Sequence, residues 1–180
     1  MTGSSDNDSV ILVDAADVQI GTAQKLDAHR RGLMHRAISV LVRNKDGALL
    51  LQRRSAGKYH SGGLWANACC SHPMPGEDTA IAARRRLREE MGIECALAPL
   101  FVTHYRANVS DGLIEDEVVH VFGAIHNGPV APEPAEVSET KWLSLAELKR
   151  DMQARPDAYA VWFRHYMSKH ADMIARWAGG

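Results

Sequence analysis

Long apolar runs, an excess of one charge and a usable cysteine framework are all missing from this 180-residue chain. No stretch approaches the roughly 18 apolar residues a membrane helix needs, so a membrane span is not expected. Lys plus Arg number 21 against 22 for Asp plus Glu, a formal charge of −1. That balance gives no global drive toward nucleic acid. The first residues, MTGSSDNDS, are polar and acidic, unlike a secretory signal. Three cysteines, Cys69, Cys70 and Cys95, cannot all pair. Adjacent Cys69 and Cys70 fit no disulfide framework, so a reducing cytoplasm is the expected setting. Neither repeats nor low-complexity tracts occur. With 46% apolar and 24% charged residues, the chain reads as one ordinary globular domain rather than a disordered, collagen-like or coiled-coil protein. One residue type is abundant instead. Nine histidines outnumber the three Phe or four Tyr. Histidine is the commonest metal ligand and titrates near neutrality.

The pattern along the chain predicts an α+β domain with a mixed sheet and helices on its faces. Residues 1–9 read as a flexible tail, and 10–180 as a single compact domain. Val10–Val13 is a first strand, and Asp14–Gln19 turns into a short second one. Gly21–Gly32 is polar and reads as a loop or one helical turn. Arg36–Arg43, rich in β-branched residues, is a buried strand. Asn44-Lys45-Asp46-Gly47 is a hairpin turn into Ala48–Arg53. Ser55–Gly63 is a glycine-bearing loop, and Leu64–Cys70 one short strand. Thr79–Met91 is the clearest helix: Asp78 or Thr79 can cap it, and Gly92 can end it. Ile93–Tyr105 and Leu113–Ile125 are extended runs. Glu139–Leu143 is the last strand. Ser144 caps a short helix to Met152, and Pro156 starts a longer one to Trp177. No G-x-G-x-x-G follows a strand, so a Rossmann fold is excluded.

Four groups of residues could carry chemistry. Alternation on a strand sends Cys69 and Cys70 to opposite faces, with His72 on the side of Cys70. A small buried hydrophobe is the plain alternative for either cysteine. On the helix, Arg85/Glu89 and Arg86/Glu90 are spaced i,i+4. A solvated salt-bridged face is the plain reading there, while an acidic pair before glycine also suits a hard cation and Arg suits phosphate. Period two puts Glu115 and Glu117 on one strand face and Asp116 on the other. Two like carboxylates repel unless a metal lies between them. His29, His35 and His72 with two carboxylates would fill a mixed N/O site for Mn, Zn, Fe or Mg. Lys25, Arg53, Arg54 and Lys58 are scattered cations of the kind usually solvated. Tyr159, Trp162 and Tyr166 form an aromatic stripe, more often core than cofactor site.

Ser71–Ile93 resembles a degenerate Nudix box, G-x5-E-x7-R-E-U-x-E-E-x-G-U, with U aliphatic. Glu77, Arg85, Leu87, Glu89, Glu90, Gly92 and Ile93 match; Ser71 replaces the opening Gly, and Arg86 replaces a metal-binding Glu. From about Val10 to Trp162 the chain resembles the type I isopentenyl-diphosphate delta-isomerases, a Nudix-fold family of isoprenoid synthesis. The shared pattern is Lys25-x3-His29, His35-Arg36-Ala37, Arg54-x3-Lys58, Trp65-x-Asn67, Cys70-x-His72-Pro73, Arg86-x3-Glu90, Tyr105-Arg106 and Glu115-x-Glu117, in that order. Arg86 is that family's own replacement.

The resemblance implies a Nudix fold, a sheet sandwiched by helices, and a monomer. It implies interconversion of isopentenyl and dimethylallyl diphosphate through a tertiary carbocation, with no organic cofactor, nucleic acid or membrane involved. His29, His35, His72, Glu115 and Glu117 match a single-metal site for Mn2+, Mg2+ or Zn2+. Cys70 and Glu117 match catalytic groups on opposite faces of the substrate, and Tyr105 the tyrosine assisting the glutamate. Glu90 matches the ligand of a Mg2+ that arrives with the diphosphate. Lys25, Arg54, Lys58 and Arg86 match the diphosphate contacts, and Trp162 the aromatic against the isoprene carbons. Cys70 is expected to act as thiolate, with nearby cations lowering its pKa. A Nudix diphosphate hydrolase and a non-catalytic diphosphate-binding module are the alternatives. His60, His104, His120, His126, His165 and His170 keep the bland structural reading.

Overall fold

The computed structural model describes residues 8–180. The expected tail lies mostly outside them, and Ser9 already belongs to the first strand. The strands are β1 (Ser9–Val13), β2 (Gln19–Gln24), β3 (His35–Arg43), β4 (Leu49–Arg54), β5 (Trp65–Asn67), β6 (Cys69–Ser71), β7 (Leu97–Asn108), β8 (Ile114–Ile125) and β9 (Val137–Leu143). The helices are α1 (Lys25–Arg31), α2 (Thr79–Met91), α3 (Leu145–Ala154), α4 (Val161–Lys169) and α5 (Ala171–Gly179). None of them is long and apolar enough to cross a membrane.

All nine strands join one mixed sheet. β3 is its hub, antiparallel to β1, β4 and β6 and parallel to β8. A strand covered on both faces must be apolar on both, and β3 is. Ala37 and Leu41 enter one core with Leu148, Phe163, Tyr166 and Ile174 from α3, α4 and α5. Ile38, Val40 and Val42 enter the other with Ala83, Leu87 and Met91 of α2. The sheet is therefore sandwiched by helices, as expected.

α2 has the expected bounds. Its cap, Asp78, accepts from the Ala80 and Ile81 amides at 2.8 and 3.2 Å. Gly92 ends it in the left-handed region at φ 65. Three segments depart from expectation. Gly21–Gly32 contains most of β2 and the two-turn α1; its inward residues are Ala28 and His29, too weak an apolar signal to read as a helix. Leu64–Cys70 splits at Ala68 into β5, paired with β4, and β6, paired with β3. The Ala68 carbonyl is taken by the Gln52 side chain at 3.0 Å instead of a strand partner. The long helix from Pro156 is broken. Pro156–Ala158 is a single tight turn, Tyr159 is extended, and the Ala160 amide donates to the Trp65 carbonyl at 2.9 Å. A second break, at His170, divides α4 from α5. Helical periodicity carries no record of a sheet edge that needs a donor.

Gly92→Ala should cost about 2 kcal/mol, because the left-handed backbone alone costs a side chain roughly 1–2 kcal/mol. Its Cβ would also lie 2.9 Å from the Ala131 Cβ and carbonyl oxygen. Gly76→Ala, at φ +80 in open space, carries the backbone cost only. Equal losses for the two variants in urea unfolding would contradict this reading.

Candidate active site

Strand register assembles the site. The parallel pairing of β3 and β8 sets His35 opposite Glu117. The antiparallel pairing of β7 and β8 sets Tyr105 opposite Glu117 and Ala107 opposite Glu115. β6 places Cys70 opposite Ser39 of β3. Alternation then sends His35, Ser39, Cys70, Tyr105, Glu115 and Glu117 to the face that continues into the α4 core, while Cys69 is buried against α2.

Three imidazoles converge on Glu117. Its Oε1 lies 3.1 Å from His72 Nε2, 3.4 Å from His35 Nε2 and 3.9 Å from His29 Nε2. His29 Nδ1 donates to the Lys25 carbonyl at 2.8 Å and His35 Nδ1 to the Leu33 carbonyl at 2.7 Å. A carbonyl can only accept, so each Nδ1 carries hydrogen and each Nε2, turned inward, is the atom that can take a proton or meet a cation. This is the outer-shell arrangement that orients metal-binding histidines. Donor atoms of His29, His35, His72 and Glu117 lie within 4.8 Å of one another, a group that could hold a metal ion. The buried His72 Nδ1 has no partner. Burial pushes His72 down to about 3 and lowers His29 as well. Burial also opposes charge on His35, but the hydrogen bond and charge of Glu117 outweigh it and raise His35. Burial alone would raise Glu117, yet the hydrogen bonds from His35 and His72 hold it well below the carboxylate range. Glu117 thus draws positive charge to this point.

Glu115 behaves oppositely. Burial, then the charge of Glu117, pushes it above the ordinary carboxylate range. The Tyr105 hydroxyl lies 2.8 Å from Glu115 Oε2 and 2.9 Å from Glu117 Oε2, linking the two carboxyls. Carboxyls whose environments drive them apart are the usual sign of acid–base work.

Asn67 aims the thiol of Cys70. Its Nδ2 faces three oxygens: Ser39 Oγ at 2.9 Å, the Val40 carbonyl at 2.9 Å and the Cys69 carbonyl at 3.0 Å. Oδ1 is therefore left to accept from Cys70 Sγ at 3.2 Å. Burial pushes the Cys70 thiol up to about 12, against the opposing pull of Ser39 and Arg54. The expected lowering by nearby cations is overturned, because burial outweighs the cations that reach it.

At the other end, Lys25, Arg54, Lys58 and Arg86 line the same cleft. Arg86 pairs with Glu90 at 2.6 Å and Glu89 at 2.8 Å, so the plain salt-bridge reading holds for the half-exposed Glu89. Glu90, by contrast, is 3% exposed and faces the cleft. Arg85 holds Glu77 through two bonds, 2.7 and 2.8 Å, which braces the segment before α2. The Arg54 guanidinium lies 5.1 Å over the Trp162 ring, whose buried Nε1 has no partner.

Every sequence-predicted site residue except His29 and His35 lines this one cleft, and those two are buried. Sequence reasoning missed three residues. Tyr59 reaches His29 Nε2 at 3.5 Å, His60 reaches Glu115, and Glu136 pairs with Lys58 and Arg86. Nothing in a glycine-bearing loop or in the segment before the last strand marks them. The other five histidines stay structural: His104 and His120 pair with Asp116 and Asp17, His126 with the Pro129 carbonyl, His165 with Thr103, and His170 stacks on Phe101.

Thiolate is the reactive form of cysteine. Iodoacetamide at about pH 8 should therefore label Cys95 well ahead of Cys70 by mass spectrometry. Preferential labelling of Cys70 would contradict a half-buried thiol pushed up to about 12.

Residues 33–163 match the family described as NUDIX domain. The isopentenyl-diphosphate Delta-isomerase 2 of Aromatoleum aromaticum is 53% identical over 155 residues, 86% of this chain and 82% of that protein. The isopentenyl-diphosphate Delta-isomerase of Burkholderia multivorans is 47% identical over 171 residues, 94% and 97% of the two. Among solved structures, DR0079 from Deinococcus radiodurans superposes with TM-score 0.69 at 22% identity, covering 81% of this chain and 89% of that one. That likeness speaks to the fold alone. With these identities over most of its length, the chain belongs to the isopentenyl-diphosphate Delta-isomerase family, carried on the Nudix fold.

Proposed function

We propose that the cleft interconverts isopentenyl and dimethylallyl diphosphate by moving a double bond between C3–C4 and C2–C3. One observation carries this reading: a single thiol and a Tyr105-linked carboxylate pair share one cleft with four cations. Proton transfer at carbon needs the first set, and a diphosphate needs the second.

In the forward direction a proton is added at C4 and another leaves C2, with positive charge on tertiary C3 between the two steps. The carboxylate pair supplies C4. Glu115 keeps its proton more readily than Glu117 does, and the Tyr105 hydroxyl joins the two. Cys70 takes the C2 proton. The thiolate that does so forms when the resting thiol proton leaves to solvent and solvent reprotonates the carboxylate pair between turnovers; Arg54 and Ser39 favour it. In reverse the groups exchange roles: the Cys70 thiol protonates C2 and Glu117 accepts from C4. The aromatic face of Trp162 is assigned to the isoprene carbons, where a cation over a desolvated ring gains ~2 kcal/mol. Water must be kept from the cation, which it would trap as an alcohol.

A divalent ion, Mn2+, Mg2+ or Zn2+, held by His29, His35, His72 and Glu117 with Glu115 as a fifth ligand, would supply positive charge and rigidity beside the carboxylate pair. Lys25, Lys58, Arg54 and Arg86 hold the diphosphate by charge-assisted bonds. Glu90 is the carboxylate assigned to Mg2+ that enters with it. Arg86 stands on Glu90, at the position where a Nudix hydrolase would need another acidic ligand. This disfavours attack by water on the diphosphate.

Incubation with isopentenyl diphosphate and Mg2+ in D2O, followed by NMR, should give deuterated dimethylallyl diphosphate. Released phosphate or pyrophosphate would mean a hydrolase, and unchanged substrate a binding module. Cys70→Ala should lower kcat by at least about 100-fold with substrate affinity largely kept, the lower end of what acid–base groups contribute. Cys69→Ala, whose side chain faces the other core, should stay within a few-fold of wild type. Equal loss in both variants would defeat the assignment of the thiol.

A further inference from the structure

The loop between β4 and β5 delivers an imidazole that the roles above leave unused. His60 is 5% exposed, and its Nε2 lies 3.3 Å from Glu115 Oε1. Its ring stacks on His29 at 5.6 Å and meets the Trp162 edge at 6.1 Å. Donor atoms of His29, His60 and Glu115 lie within 4.8 Å of one another, a group that shares only His29 with the one built on Glu117.

The loop backbone is spent on this placement. Ser61 adopts φ 52, left-handed for a residue with a side chain. Such strain persists only where the surroundings enforce it. The Ser61 amide donates to Ser110 Oγ at 3.2 Å, Arg54 donates to the His60 carbonyl at 3.3 Å, and Ser61 Oγ lies 3.2 Å from His60 Nδ1. Tyr105 fixes Glu115 Oε2 at 2.8 Å. Among the described residues, His60 is the group that meets the other oxygen, Oε1.

We propose that His60 is a positioning residue for Glu115, fixing its second oxygen so that Glu115 joins the three histidines and Glu117 in one cation-binding unit. This rests on the metal-site reading above. Metal binding is measured apart from turnover, so failure of the isomerase reading and failure of this one are distinguishable.

The test is Mn2+ titration by calorimetry on wild type, His60→Ala, His60→Gln, Glu115→Gln and the double variant His60→Ala/Glu115→Gln, with kcat and KM for isopentenyl diphosphate alongside. Outer-shell partners are typically worth about 10–100-fold in metal affinity. His60→Ala should weaken Mn2+ binding about 10-fold or more and lower kcat, with KM near wild type because the diphosphate cations are untouched. His60→Gln, whose amide N–H reaches the position of Nε2, should recover most of the loss. In the Glu115→Gln background, His60→Ala should add little. Mn2+ affinity within two-fold of wild type, no rescue by Gln, or full additivity with Glu115→Gln would each overturn the proposal. If His60→Ala fails to fold, His60→Asn replaces it. Its shorter amide mimics Nδ1 only, so binding equal to that of His60→Gln would overturn the proposal.

Discussion

The parallel pairing of β3 with β8 is the constraint on which the site depends. It puts His35 beside Glu117, and everything else in the cleft is referred to that pair. Side chains alternate with a period of two, so a slip of one residue would send every inward group to the other face. The same slip would turn Asp116 toward the α4 core and take Val119 and Val121 out of it. Core and site therefore enforce one register together. The apolar residues at the far end of β8 fix the direction in which its acidic end points.

Charge within the cleft is organised by unequal burial and unequal partners. Glu117 is ionised because two imidazoles stand on it; Glu115 resists ionisation because Glu117 is beside it and burial removes water. Tyr105 touches both, so the two carboxyls behave as one unit. Across the cleft, burial holds Cys70 as a thiol while Asn67, through its amide orientation, dictates where that thiol points. These are three acid–base groups in distinct states, without any of them lying at the surface.

The box segment has divided its labour. Glu77 and Arg85 brace the turn into α2, as backbone-like scaffolding. Arg86 and Glu90 turn toward the cleft, where Arg86 also meets Glu136 at 3.6 Å. Glu136 partners Lys58 as well, so one carboxylate holds two cations in place. The near-zero net charge of the chain conceals this separation: an acidic, histidine-rich end beside a basic one.

Much was legible in the order of residues. The α2 helix was bounded by its own cap and its own terminal glycine, both local devices. Alternation separated Cys69 from Cys70 and paired Glu115 with Glu117, since a strand repeats over two residues wherever it lies. The motif spacing carried the family. What periodicity could not carry was anything settled by a distant partner. The break at Ala68 depends on Gln52, the break before α4 on the Trp65 carbonyl, and the raised thiol of Cys70 on the walls around it. His60 is the sharpest case: one histidine in a glycine-bearing loop, indistinguishable in the sequence from five that are structural, until folding brings it to Glu115. Local propensity and spacing determined which groups exist and which face they share. Only long-range packing decided which of them meet, and how far from water, because burial and partner charge are properties of the assembled fold.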